Sequence, residues 1–450
     1  MTRFDLPVPG APSAVAFPAV ERSSLANGLR IWSIRHSALP VVSFTLVLDH
    51  GIASDPPDRL GLTSLVGSLA AESAGPRDAI ALADAVARLG AHLEVQAGAE
   101  ITTVSLMTLV KHTPPALDLL ADIVRRPQLT EDDFARVREL RLSRLQQSSR
   151  VAGTMADRAL LSAVFGAHPY GHGSLGTTPS IEATTIDDVR AFWHRTWSPA
   201  GATLIAVGDI DATEVRAEAD RVLGDWPVGT VRPALVPAPV ARPSRDVIAV
   251  HRAGAAQAEV RVGHLGPSRR TPAYHALITL NALLGGQFTS RINRNLREAR
   301  AITYGARSSF DMRRAGGLFS CDASVQSDAA AVAAAEIQRE FREVAGDHAV
   351  TTDELDQARA SLTRGYVRYF ETPGQIARAA VELATYELPD DTYDRFVPAV
   401  THLSVDDIAS AARASLQPDD CAIVIVTDLD QYREALGQLG RPVTETTVEF

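Results

Sequence analysis

A basic excess, cysteine and long apolar runs are what this sequence has least of, and each shortage removes a class of function. Lysine and arginine number 44 against 54 acids, a net charge of −10. No surplus of cations is therefore available to neutralise a phosphate backbone, which argues against nonspecific nucleic-acid binding. Only Cys321 and Cys421 occur, both in apolar, strand-like runs. That count excludes a disulfide scaffold and leaves open either one bridge or two buried free thiols. No apolar run reaches the roughly 18 residues a membrane span requires, so no span is expected. The first twenty residues, MTRFDLPVPGAPSAVAFPAV, contain four prolines and no continuous apolar core, so they do not read as a signal peptide. Localisation stays open between the cytoplasm and a periplasm reached by a removed leader.

What is present is a soluble, globular composition, 46% hydrophobic and 22% charged, spread over 450 residues. That length exceeds one ordinary core and predicts at least two domains. Their relation is written in the chain. Residues 186–211, IDDVRAFWHRTWSPAGATLIAVGDID, align without a gap to 405–430, VDDIASAARASLQPDDCAIVIVTDLD. A second pair, LTEDDFARVRELRLSRL from 129 and VTTDELDQARASLTRGY from 350, repeats the match. The offsets are 219 and 221 residues, far longer than a solenoid period, so the chain is a duplicated pair of domains. Each copy of the first pair predicts a helix started by an aspartate, a turn at proline and a buried strand. The proline-rich 226–246 predicts an extended linker. The expected division is an arm at 1–14, domains at 15–225 and 247–450, and that linker between them.

Strand-like runs alternate with helical ones. LPVVSFTLVLDHG (39–51) reads as a strand, and AHLEVQAGAEITTVSLMTL (91–109) as two strands around the turn AGAE. Residues 116–126 and 130–150 read as helices. The expected class is α+β, two homologous domains of mainly antiparallel sheet covered by helices. Strand order does not follow from periodicity.

Four stretches together carry a family likeness: LANGLRIWSIRHSALPVVSFTLVLDHGIASDPPDRLGL (25–62), HPYGHGSLGTTPSI (168–181), WSPAGATLIAVGD (197–209) and LLGGQFTSRINRNLREARAITYG (283–305). In order and spacing the sequence resembles the pitrilysin/insulysin family of inverted zinc metallopeptidases. The resemblance implies repeated α+β domains that enclose a peptide chamber with a partner. It also implies a helix bearing H-x-x-E-H, two zinc-ligating histidines and a glutamate base, and a distal glutamate ligand on a second helix. With the glycine that opens the motif laid on Gly61, those positions fall on Ser64, Gly67, Ser68 and Arg144. Neutral hydroxyls, a hydrogen and a permanent cation cannot do that chemistry, so no metal is expected here.

The same resemblance assigns Arg297 and Tyr304 as the pair that donates hydrogen bonds to substrate and to a developing oxyanion. It places a peptide-binding edge at Glu94, Val95, Gln96 and Ala97, and a close-approach glycine turn at Gly285 and Gly286. Arg297 could otherwise pair with Glu298. His168 and His172 are four apart, but Pro169 and Gly171 between them argue against a helix and hence a ligand pair. The resulting expectation is a catalytically incomplete subunit, without a cofactor of its own, that completes an H-x-x-E-H partner carrying the zinc in cleaving peptides or small unfolded proteins. The alternative is a non-peptidase scaffold of the same fold, possible as a homodimer with itself. An independent enzyme with a relocated metal site is disfavoured, because no compact His/Glu/Cys cluster replaces the lost one.

Overall fold

The computed structural model describes residues 10, 14–229, 236–241, 246–346 and 348–450. Most of the expected arm, and residues 230–235 and 242–245 of the expected linker, lie outside them. Twelve strands form two six-stranded sheets: β1 (Glu21–Ser24), β2 (Arg30–Arg35), β3 (Val41–Leu48), β4 (His92–Ala97), β5 (Thr102–Leu109), β6 (Thr203–Gly208), β7 (Val247–His251), β8 (Gln257–Gly266), β9 (Thr303–Asp311), β10 (Gly317–Gln326), β11 (Ala422–Thr427) and β12 (Val443–Glu445). Their orders are β1-β2-β6-β3-β5-β4 and β12-β7-β11-β8-β10-β9. From the second position onward the two lists repeat the same order, so the duplication extends to topology. Both sheets are mixed and mainly antiparallel, with β2–β6 parallel in one and both β7–β11 and β12–β7 parallel in the other.

The repeated sequence segments land on matching elements. The Ile186–Thr196 and Val405–Ser415 helices each begin with a capping box, Thr185 with Asp188 and Ser404 with Asp407. The residue before each helix is thus the cap, and the aspartates sit in the first turn, where they answer the helix dipole. Thr130 and Thr351 likewise cap the Glu131–Ser148 and Thr352–Thr363 helices. The AGAE turn joins β4 to β5 in register Ala97↔Thr102, leaving β4 as a free sheet edge. Cys321 and Cys421 are both buried and free, which settles the choice against a bridge.

The two halves are interleaved. Inner sheet faces pack against their own helices, and each outer face is covered by a helix from the other half. The Ala152–Phe165 helix supplies Ala156, Leu160 and Val164 against Val250, Ala422, Val424 and Val426 of the second sheet. Its counterpart 221 residues on, Pro373–Tyr386, supplies Ile376, Ala380 and Leu383 against Trp32, Ile34, Ile205 and Val207 of the first. Trp226, at the start of the expected linker, is buried in the first half's own core. A buried carboxylate fastens the joint. Glu100 accepts from the Tyr170 hydroxyl and from the Arg314 backbone N–H at 2.9 and 3.0 Å. Glu100→Ala leaves the buried Tyr170 hydroxyl without its acceptor and frees the part-buried Arg314 N–H, so chemical denaturation is expected to show a loss of roughly 1–3 kcal/mol.

Candidate functional site

Gly61 stands at φ +91° at the start of the Leu62–Ala70 helix, and a Cβ there would lie 2.8 Å from the backbone of Gly176. The helix start and the 168–181 loop meet through these two glycines, a contact no side chain would permit. Asp55 caps the same helix, accepting from the N–H groups of Gly61 and Thr63 at 2.7 Å each and from the Thr63 hydroxyl at 2.6 Å. On the face so fixed, Ser64 and Ser68 lie one turn apart.

Across from them runs the Glu131–Ser148 helix, and the residue that reaches the serines is Arg141. Its Nη1 donates to Ser64 Oγ at 2.5 Å and its Nη2 to Ser68 Oγ at 3.1 Å. Nη1 also lies 3.3 Å from the Ser174 carbonyl, which accepts the Ser64 hydroxyl too, while Ser68 Oγ donates to the Ser64 carbonyl at 2.9 Å. Counting along the chain points to Arg144, but that side chain is exposed and Arg141, one turn earlier, is 3% exposed. The difference is one of helical phase: 141, 137 and 145 share the buried face and 144 does not. Gly67 is buried against β4, and a Cβ on it would come within 3.0 Å of Val95 Cγ1. A side chain at Gly67 would therefore ask Val95 to give way by a few tenths of an ångström.

This donor set does not fit zinc. Two neutral hydroxyls and a guanidinium offer no anionic or imidazole ligand, and the cation itself stands between the two helices. Burial pulls the Arg141 pKa down to about 10, with Arg144 adding to the effect and Asp55 opposing it. A lowered base means the charged form is disfavoured, by about 3 kcal/mol. The cost is constant below pH 10 and is relieved only as pH rises from there towards the unfolded value. Among the described residues no acid forms an ion pair with it. Arg141→Met keeps the volume and leaves both serines with carbonyl partners, so urea unfolding at pH 7 is expected to show a gain of roughly 1–2 kcal/mol. A loss would mean the hydrogen bonds outweigh the desolvation.

Elsewhere among the described residues, one group, His251, Asp428 and Asp430, brings possible metal-ligand atoms together. His251 Nδ1 accepts the Leu429 N–H at 3.2 Å, so its neutral ring carries a proton on Nε2, 4.0 Å from Asp430. That atom is a donor to an acid, not a ligand. His168 Nδ1 accepts the Tyr170 N–H and its Nε2 meets the Pro237 carbonyl, and His172 lies against the Gly173 carbonyl.

In the second half, Arg297 lies on a π-helical turn, Arg294–Ala299, and Tyr304 at the start of edge strand β9. The Arg297 guanidinium sits 3.3 Å over the Phe288 ring and pairs with Glu298 at 2.8 Å, while its Nη1 is buried without a partner. Tyr304 is 91% exposed. Among the described residues no hydrogen bond joins the two or reaches the Tyr304 hydroxyl. Gly285 and Gly286 end a π-helical turn, Ala282–Gly286, where a reverse turn was expected. A Cβ on Gly285 would lie 2.5 Å from Ser308 Oγ, so this glycine seats the helix end on β9. On β4, Glu94 and Gln96 face a cleft of about 760 Å³ between the first sheet and the Pro373–Tyr386 helix, and Val95 points the other way, towards Gly67. Glu94 accepts from Gln96 Nε2 at 2.6 Å. Arg141, Ser174 and Asp55 are the residues a motif search passes over, since none belongs to a ligand pattern.

Comparison with known proteins adds the following. Residues 30–178 match the model described as insulinase (peptidase family M16), and residues 183–362 the model described as peptidase M16 inactive domain. An uncharacterized zinc protease of Streptomyces coelicolor is 24% identical over 432 residues, 94% of this chain and 89% of its own. One from Mycobacterium tuberculosis is 26% identical over 363 residues, 80% of this chain and 81% of its own. A peptidase M16 inactive domain from Pseudomonas fluorescens superposes with a TM-score of 0.84 at 26% identity, covering 91% of this chain and 98% of that one. A Helicobacter pylori protease shares the fold at a TM-score of 0.83, with 18% identity, 91% of this chain and 99% of that one being covered.

Proposed function

The chain belongs to the insulinase (M16) peptidase family, and from that premise we propose that it is a subunit without zinc that completes a zinc-bearing partner. The observation that carries this reading is asymmetric: Arg141 bonds both serines on the helix where the family sets its metal, while Arg297 and Tyr304 remain as donors in the other half. The partner, a homologous chain with H-x-x-E-H, would hold the zinc and the general base. This chain would contribute hydrogen bonds to the substrate carbonyl and its oxyanion, and a wall lined in part by β4.

The test is to express this chain with an H-x-x-E-H homologue from the same genome, then measure stable association, zinc content and peptide cleavage by each chain and by the pair. Association, metal only in the homologue and cleavage only by the pair are expected. A homologue that cleaves equally well alone defeats the proposal. A second reading, a peptide-binding scaffold, draws on the Glu298 pair and Phe288 stacking that already occupy Arg297. It predicts purified chain that is inactive with every partner.

A further inference from the structure

A cleft of about 780 Å³ opens in the second half between the Tyr274–Asn281 and Thr352–Thr363 helices, the one-turn helix Tyr366–Phe370 and the Pro373–Tyr386 helix. The first two helices hold the same places in the order of elements as the two that carry Ser64 and Arg141. The cleft is thus the counterpart of that site, open here where a guanidinium fills it there. Its lining is aromatic: Tyr274, Tyr366, Tyr369, Phe370, Tyr393 and Phe396.

The polar groups in this lining are lopsided. Tyr366 is 9% exposed, and among the described residues its hydroxyl has no hydrogen-bond partner; neither has the Tyr274 hydroxyl. Burial pushes both phenols up, so both remain donors across the working pH range. Gln287 Nε2 is buried and unpartnered. Arg378 is exposed at the wall and, among the described residues, forms no ion pair. The acid in the lining, Glu382, is already spent, accepting from Arg269 Nε at 2.7 Å and the Tyr393 hydroxyl at 3.0 Å. What remains is a largely aromatic box with a guanidinium that has no ion-pair partner among the described residues, two phenols and a buried amide N–H to offer a ligand. Of these, Gln287 Nε2 is the donor buried without a partner; that is costly, and a ligand that supplies an acceptor recovers the cost.

We propose that this cleft binds a large apolar residue carrying a free carboxylate, the C-terminal residue of a peptide. The ring or branched side chain would lie among the aromatics and the carboxylate would face Arg378. A peptide is favoured over a small free acid because Phe288, the residue that follows the lining residue Gln287, is 73% exposed and stacked under Arg297. An extended chain lying on that surface reaches the cleft with its end. The proposal concerns binding by this chain alone and does not need the peptidase reading.

The test is titration of the full chain with an N-acetylated, fluorophore-labelled hexapeptide ending in phenylalanine. Its C-terminal amide, a version ending in glycine and 3-phenylpropionate serve as competitors. The free acid is expected to bind about tenfold tighter than the amide, the value of one charge-assisted contact. Arg378→Gln should abolish that preference and Tyr366→Phe should weaken binding several-fold, roughly one lost hydrogen bond, with thermal unfolding of both variants unchanged. Equal binding of acid and amide, or no saturable binding by about 1 mM, overturns the proposal. Phenylpropionate binding as tightly as the peptide overturns the peptide assignment and gives the cleft to small carboxylates.

Discussion

In the proposed pair with an H-x-x-E-H chain, Arg297→Ala is expected to lower kcat/KM by roughly 10²–10³-fold, and Tyr304→Phe by a similar or smaller factor, while association is unchanged. The magnitude follows from where the donors stand. One arm of the Arg297 guanidinium is committed to Glu298 and its plane rests on Phe288, which leaves Nη1 buried with a hydrogen to give and nothing to receive it. A donor held that way needs no reorganisation when negative charge grows on a carbonyl oxygen, and stabilisation without reorganisation is what lowers a barrier. Because the bond strengthens in the transition state, the loss should fall on kcat more than on KM. Tyr304 differs: it is exposed and free, so part of its contribution is offset by ordering on assembly. Full activity of both variants would leave the pair as a structural contact and remove this chain from the chemistry.

The second large effect concerns metal. A triple variant, Ser64→His, Ser68→His and Arg141→Glu, is expected to bind about one zinc per chain by elemental analysis after desalting, where the unaltered chain binds none. Arg141 already touches both serines, at 2.5 and 3.1 Å, so a carboxylate in its place faces two imidazoles presented one helical turn apart. The charge changes from a cation that repels the ion to an anion that attracts it. The triple variant should still not hydrolyse peptides, because Gly67 offers no base. Adding Gly67→Glu would supply a carboxylate there once Val95 Cγ1, 3.0 Å from the added Cβ, gives way by a few tenths of an ångström. Substoichiometric zinc in the triple variant, with the fold intact by circular dichroism, would show that the two helices no longer stand at ligand distance.

Much of this molecule can be read from its sequence, and the misreadings have definite causes. The duplication was legible because helix caps and buried strands are local: Thr185 and Ser404 recur with their aspartates, and β6 and β11 with their unbroken apolar runs. That Ser64 and Ser68 share a face was legible because they are four apart on one helix. That Arg141 and not Arg144 reaches the serines was not legible, because both lie on another helix, and which face of that helix turns inward is a tertiary fact. Arg141 does not advertise itself; a buried arginine in an arginine-rich run, RVRELRLSR, looks like its exposed neighbours. The glycines at 285 and 286 announced a close approach, but packing decided that the approach is to Ser308. The open cleft has no motif at all, being assembled from six elements spread over some 120 residues.

The crossed helices carry a consequence for truncation. A half-length chain built this way would own a sheet, one covering layer and a helix meant for somebody else's sheet. Alone, it would leave the Ile34, Ile205 and Val207 face, or the Val250, Val424 and Val426 face, open to water. Two copies side by side would close both faces by trading helices, as swapped dimers do. With this architecture, a half-length chain buries its outer sheet face only by exchanging that helix with a second copy. Cutting today's chain in the segment between its halves should yield two fragments that are soluble only together.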